Sequence, residues 1–214
     1  MATARILKRD SFGTVKIESV GPERIVVRDT RSANWWAQGM ARYLARRESR
    51  ALLHLGTQEG LPTLIAFTDR QLSRSYLPGV VMHEARPTSR SYYRRALRLL
   101  LRLHRSGIAH NDLAKEANWL CMPGDRPAMV DFQLAFISHR RGKLFRLLAR
   151  EDLRHLLKHK RHYLPTELTS RQRALLANPS LPARLWRWLI KPPYVFFTRR
   201  ILSWPERHGP EERL

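Results

Sequence analysis

The stretch from Leu103 to Phe132, LHRSGIAHNDLAKEANWLCMPGDRPAMVDF, constrains this chain more than any other. A helical pattern runs into it and ends just before Gly107. His110-Asn111-Asp112 then opens a loop, Asn118 follows on that loop, and Val130-Asp131-Phe132 closes a short hairpin. The fold must therefore present two carboxylates and an amide from one loop and the hairpin behind it.

Transfer of a terminal phosphoryl group needs a carboxylate that orients or accepts the proton of the acceptor hydroxyl, and oxygen ligands that hold Mg²⁺ on the phosphates. Asp112 suits the first task, and Asn118 with Asp131 suits the second. Mg²⁺ is a hard cation that takes carboxylate and amide oxygens where it would not take thiols. Cys121 is the single cysteine, which excludes an internal disulfide and fits a reducing cytosol. The opening MATARILKRDSF lacks the apolar core of a signal peptide, so a cytoplasmic location is expected.

The segment resembles the catalytic loop and metal motif of the protein-kinase-like superfamily, in which H-x-D is followed by Asn and then D-F-x. Leu103-His104, Gly107-Ile108 and His110 extend the match. Within the superfamily it is most similar to small bacterial members near the lipopolysaccharide (Kdo/heptose) kinases and to the RIO-type kinases. The likeness runs from Ser11 to Lys160 and is dense only in the loop. It implies an α+β, two-lobed protein-kinase-like fold, with a small antiparallel-sheet N-lobe carrying one helix and a mainly helical C-lobe. ATP and Mg²⁺ would lie between them. The chain then divides into residues 1–77, a nucleotide-covering lobe, 78–165, a catalytic lobe, and 166–214, a basic aromatic helical extension. At 214 residues it is a reduced version of that architecture.

Along the chain, Gly13 to Ile17 and Glu23 to Arg28 alternate as strands around a Gly21-Pro22 turn. In the family a glycine-bearing hairpin covers the phosphates here, and Phe12-Gly13 is what remains of it; an ordinary hairpin reads equally well. Where the family has a phosphate-pairing lysine this chain has Arg28, a forked cation that is not interchangeable with an ammonium. Lys16 is the alternative phosphate contact, from the neighbouring strand. A helix from Asn34 to Leu55 carries Met40, Tyr43, Leu44, Ala51, Leu52 and Leu55 on one stripe, and Glu48 shares it. A core-facing carboxylate needs a cation: Arg28, as in the family's strand-cation to helix-glutamate pair, or its neighbours Arg46, Arg47 and Arg50. Strands over 61–67 and 71–77 follow, and Tyr76-Leu77-Pro78-Gly79 resembles the interlobe connector whose backbone meets adenine.

A helix from about Thr88 to His104, with Tyr93, Ala96, Leu97, Leu100, Leu101 and His104 on its inner face, delivers the loop. Asn118 stands six residues after Asp112, one more than the family spacing, so one residue must bulge. Lys115 is shifted likewise and remains placed to neutralise the transferring phosphate. His110 reads as a structural imidazole. Gln133 replaces the usual glycine after Asp131-Phe132, which restricts the backbone. In the helix from Leu144 to Lys160, Asp152 either bonds the catalytic-loop backbone, as in the family, or makes a salt bridge at the helix edge. No A-P-E-like signal appears before that helix, which points away from a peptide platform and toward a sugar or glycolipid hydroxyl.

The charge of +22 attracts polyanions, so an anionic acceptor such as a lipopolysaccharide precursor, an anionic membrane surface or nucleic acid are the partner classes, nucleic acid being the least favoured. From Leu185 to Trp204 aromatic residues alternate with cations, and Lys191-Pro192-Pro193 interrupts any spanning segment. That run lies on the inner face of the cytoplasmic membrane or packs on the C-lobe. The expected activity is ATP-dependent phosphorylation of a hydroxyl on a lipopolysaccharide core sugar or a protein Ser/Thr. The rivals are a pseudokinase scaffold and an RNA- or ribosome-associated RIO-like kinase.

Overall fold

The structure, a computed structural model, describes residues 5–177. Its N-terminal part is a five-stranded antiparallel sheet of order β1-β2-β3-β5-β4, built from β1 (Arg5–Asp10), β2 (Gly13–Val20), β3 (Glu23–Asp29), β4 (Leu64–Phe67) and β5 (Gln71–Ser75). Strand β1 was not legible in the sequence: it is a largely exposed edge strand without the apolar alternation that marks a buried one. Its two-residue link to β2 ends at Gly13, whose φ is +120°; a Cβ there would lie 2.2 Å from the Asp29 carbonyl oxygen. The glycine is thus demanded by the close passage of β2 and β3.

Helix α1 (Gln38–Leu55) crosses between β3 and β4 in sequence. Its buried face is Ala41, Ala45, Glu48, Ser49, Ala51, Leu52 and Leu55. Met40 and Tyr43, expected on that face, are 54% and 53% exposed. The helix is turned so that alanines face inward at its N-terminal half, where small side chains permit a close approach, and the larger residues lie at the rim.

Tyr76 to Gly79 leads out of the sheet. Expectation placed a long helix directly after it; instead β6 (Val80–Val81) and a one-turn α2 (Met82–Ala85) intervene, because Val80 and Val81 pair with β8 (Trp119–Met122), which in turn pairs with β9 (Arg126–Met129). Leu77, Val81 and Val130 pack on Leu120, Met122 and Ala128 of that small sheet.

Helix α3 (Arg90–Arg105) is capped by the Ser89 hydroxyl, which accepts from the Ser91 N–H at 3.1 Å. It buries Tyr92, Tyr93, Ala96, Leu99, Leu100 and Leu103, while Leu101, assigned inward from the sequence, is 39% exposed. Beyond β7 (Ile108–Ala109) and its partner β10 (Phe136–Ile137) come α4 (Lys143–Tyr163) and α5 (Ser170–Ala177). The main core joins α1, α3 and α4 around Trp119, Met129 and Phe132. Among the described residues no helix is long and apolar enough to cross a membrane. The basic aromatic run from Leu185 to Trp204 lies outside the described residues.

Candidate active site

The loop after β7 is held from one side by α4. Asp152 Oδ2 accepts the backbone N–H of His110 at 2.7 Å and its Oδ1 accepts that of Asn111 at 2.8 Å, with His104 Nε2 at 3.2 Å. Of the two roles open to Asp152, the structure shows the bonds to the loop backbone. Two more residues on α4 act with it. His159 Nε2 lies 2.8 Å from the Leu113 carbonyl oxygen, and the Tyr163 hydroxyl donates to Glu116 Oε2 at 2.9 Å. Asp152, His159 and Tyr163 are spaced seven and four apart, which puts them along one face of the helix.

His110 is fully buried, its Nε2 is 3.0 Å from the Val130 carbonyl oxygen, and its ring lies 4.6 Å from that of Phe132. A carbonyl only accepts, so Nε2 carries a proton and the imidazole ties the loop to the strand that delivers Asp131.

Asp112 projects from this clamped loop. Its Oδ2 takes Lys115 Nζ at 2.6 Å and Asn118 Nδ2 at 3.0 Å, and its carbonyl oxygen takes the same Nδ2 at 2.8 Å. The extra residue between Asp112 and Asn118 leaves these contacts intact, because a 3₁₀ turn over Glu116–Asn118 folds the chain back. The Asn118 carbonyl then accepts the Val130 N–H at 3.0 Å, joining the loop to the residue before Asp131.

Asp131 has φ 69° and ψ 68°, the left-handed conformation. Gln133 is not among the positive-φ residues, so the strain expected from loss of a glycine falls at Asp131 instead. Burial raises the Asp131 carboxyl pKa, but Arg28, then Lys115, His110 and Arg74 outweigh it and hold it below the ordinary value. Lys115 therefore acts on both aspartates, by a hydrogen bond to one and by its field on the other.

On the sheet side, Arg28 Nε lies 3.2 Å from Glu48 Oε2 and Arg28 Nη2 3.6 Å from Asp131 Oδ1. Glu48, fully buried, has a second cation: Arg74 Nε is 3.3 Å from its Oε1. Neither contact has the alignment of a strong hydrogen bond, so charge is the larger part of what holds Glu48. Burial lowers the Arg28 pKa, yet Glu48, Asp131 and Asp10 raise it above its ordinary value. At Arg74 burial wins, reinforced by Arg28, and its pKa is lowered. Arg47 connects α1 to the turn after Asp131, its Nη2 donating to the Ala135 carbonyl at 2.8 Å.

Asp112, Lys115, Asn118, Asp131, Arg28 and Glu48 thus form one connected set. Lys16 does not join it. It lies opposite Val27 in the β2–β3 ladder while Arg28 lies opposite Val15, so the two cations point to opposite faces of the sheet, and Lys16 pairs with Glu18 at 2.6 Å. Tyr76 carries the Arg24 guanidinium over its ring at 4.3 Å, and Leu77 packs on the β8–β9 hairpin. Arg74, Glu116, His159 and Gln133 are the site residues that sequence reasoning did not place. Arg74 had a readable signal: it alternates with Leu72 on the inward face of β5 and so required an anion. A separate cavity of about 190 Å³, lined by Arg90, Tyr93, Arg94, Leu156, Lys160 and Gln172 among others, includes none of this set.

The donor atoms fit a magnesium ion. The Asn118 amide nitrogen is committed to Asp112, which leaves its oxygen to offer, and Asp131 is kept ionised. One carboxylate and one amide oxygen is a sparse set of the kind Mg²⁺ uses when phosphates and water complete its shell. Among the described residues no group of three or more His, Cys, Asp or Glu side chains forms a metal cage.

No protein-family model and no curated protein matches the chain. Among solved structures it is similar to the Rio2 kinase of Chaetomium thermophilum, with a TM-score of 0.56 and 19% identity over 82% of this chain and 62% of that one. The ADP/Mg²⁺-phosphoaspartate complex of the same kinase gives a TM-score of 0.55 and 18% identity over 82% of this chain and 60% of that one. The chain spans about 60% of the Rio2 chain it matches in that complex. The sheet with its single helix, the connector and the helical part around the loop make up a protein-kinase-like fold of the kind seen in RIO-type kinases.

Proposed function

We propose that the chain binds ATP with Mg²⁺ and transfers a phosphoryl group to a hydroxyl acceptor. The observation that carries this reading is the joining of Asp112, Lys115 and Asn118 to the Asp131 strand, with Arg28 across from them. Asp112 accepts the acceptor hydroxyl's proton. Lys115 neutralises the transferring phosphate, and Arg28, held by Glu48, orients the phosphates. Asn118 and Asp131 hold the magnesium ion, which supplies charge neutralisation on the phosphate oxygens. The Rio2 kinase that shares the fold was captured with ADP/Mg²⁺, which supports the same nucleotide and ion here.

The proposed acceptor is anionic, a lipopolysaccharide core sugar first and a protein Ser/Thr second. Arg94, Arg98, Arg102 and Arg105 are exposed along α3, a helix without an acidic residue, and such a face favours a phosphorylated substrate or an anionic surface. A nucleotide-binding scaffold without transfer is the second reading, favoured by Arg28 standing where the family has a lysine, 3.6 Å from the Asp131 carboxylate.

The test is transfer of labelled phosphate from ATP to glycolipid, protein and RNA fractions. Wild-type protein should label one fraction, and Asp112→Asn should lower the rate about 100-fold or more while nucleotide binding persists. Binding without transfer to any fraction would support the scaffold instead.

A further inference from the structure

We infer that Gln133 is a positioning residue that keeps Arg28 and Asp131 linked but apart, so that Asp131 stays open to a cation. This rests on the kinase reading above. Arg28 is a pure donor and the Asp131 carboxylate a pure acceptor, and at 3.6 Å they are too far apart for a hydrogen bond. A side-chain amide offers both functions. Oriented to meet both neighbours, the Gln133 amide nitrogen donates to Asp131 Oδ1 at 3.2 Å and its oxygen accepts from Arg28 Nη1 at 3.0 Å.

The turn makes this reach possible. Asp131 takes the left-handed conformation, and the 3₁₀ turn over Phe132–Leu134 that follows brings residue 133 back toward the carboxylate. Arg47, bonded to the Leu134 and Ala135 carbonyls at 3.3 and 2.8 Å, fixes that turn to α1, the same helix that carries Glu48. Arg28 is thus held from two sides, by Glu48 at Nε and by Gln133 at Nη1.

Two consequences follow for the carboxylate. Its Oδ1 is oriented by a neutral amide, leaving Oδ2 for a metal ion. Arg28 is also kept from closing onto Asp131 in a tight forked pair, which a cation would have to break before binding. Without the amide that pair forms, and more Mg²⁺ is needed to displace it. Loss of such a partner behind a metal-binding carboxylate typically weakens metal affinity about 10-fold or more.

The experiment titrates Mg²⁺ into full-length protein with a fluorescent ATP analogue and reads the half-saturating Mg²⁺ concentration, beside nucleotide affinity without Mg²⁺ and the melting temperature. Gln133→Leu removes both hydrogen bonds and leaves an apolar side chain one atom shorter. The expected result is a rise of about 10-fold in half-saturating Mg²⁺, larger than the accompanying change in metal-free nucleotide affinity. In an Asp131→Asn background the same substitution should add nothing. If Gln133→Leu does not yield folded protein, Gln133→Met is read in its place. An unchanged Mg²⁺ requirement in a folded variant overturns the role of Gln133 and leaves the kinase reading standing. Absence of Mg²⁺-dependent nucleotide binding in wild type overturns both.

Discussion

Arg28 and Arg74 meet Glu48 at 3.2 and 3.3 Å without the alignment of a strong hydrogen bond, whereas across the site Asp152 grips two loop N–H groups at 2.7 and 2.8 Å. The two sides of one site are therefore held by different physics. Charge attraction falls slowly with distance and has little angular preference, while a hydrogen bond weakens steeply once bent. The Glu48 contacts tolerate small shifts of the arginines without losing their attraction. The loop side has one geometry. On the proposed reading this division is useful: the groups that would meet the nucleotide adapt, and those that would meet the reacting hydroxyl stay fixed.

The sharpest way to break the comparison is to remove the anion at the centre of the sheet side. Glu48→Ala leaves the Arg28 and Arg74 guanidiniums facing each other, with Asp131 and, at Arg28, Asp10 as the remaining carboxylates that act on them. Stripping one partner from a buried ion pair costs about 3–5 kcal/mol. Denaturant unfolding should show that loss, together with a weakened affinity for Mg²⁺–ATP. A loss below about 1 kcal/mol, the value of a surface pair, would mean that the cluster is solvated and that the contrast is false.

The loop side predicts a smaller but more specific effect. Asp152→Asn keeps the shape but places an amide N–H against one of the two backbone donors it now satisfies. A hydrogen bond to a charged group contributes about 1.5–3 kcal/mol, so unfolding should show a loss of about 2–3 kcal/mol. Phosphoryl transfer should fall with it while nucleotide affinity holds. Loss of nucleotide affinity with transfer intact would reverse the assignment of the two sides.

This asymmetry also explains what the sequence reveals. Asp112, Asn118 and Asp131 are close in the chain and their chemistry is local. Arg28 with Glu48 was readable because a carboxylate on an apolar helix stripe demands a cation. His159 and Glu116 were not, for each finds its partner more than forty residues away and neither breaks a local pattern. Lys16 failed through strand parity: one residue along β2 reverses the face, and parity follows from pairing that composition does not display. Met40 and Tyr43 failed for a related reason, since a small rotation of α1 toward its alanine face exchanges rim for core. Gln133 looked like a departure from a pattern, and only the left-handed turn at Asp131 gives it a partner on either side.

The smallest expected effect sharpens the comparison by pH. Burial pushes the His155 imidazole on α4 down to about 4, helped by Lys158 and His159 and opposed by Asp152 and Glu151. Burial likewise lowers His159, with Lys158 and His162 adding to it against the Leu113 carbonyl and Glu116. The unfolded chain, with histidine near 6.5, binds these protons first. The stability contribution is therefore complete above about pH 6.5 and is lost as pH falls toward 4. For His155, which is partly exposed, this amounts to at most about 2 kcal/mol at pH 4.5. Asp131 sits below its ordinary carboxyl value and remains ionised through that window, so acid loosens the α4 side while the Arg28 side still holds its charge. The melting temperature should drop between pH 6.5 and 4.5 in wild type, less in His155→Gln, and as much as wild type in Asp131→Asn. Equal drops in wild type and His155→Gln would remove His155 as the source and leave His159 as the acid-sensitive imidazole of α4.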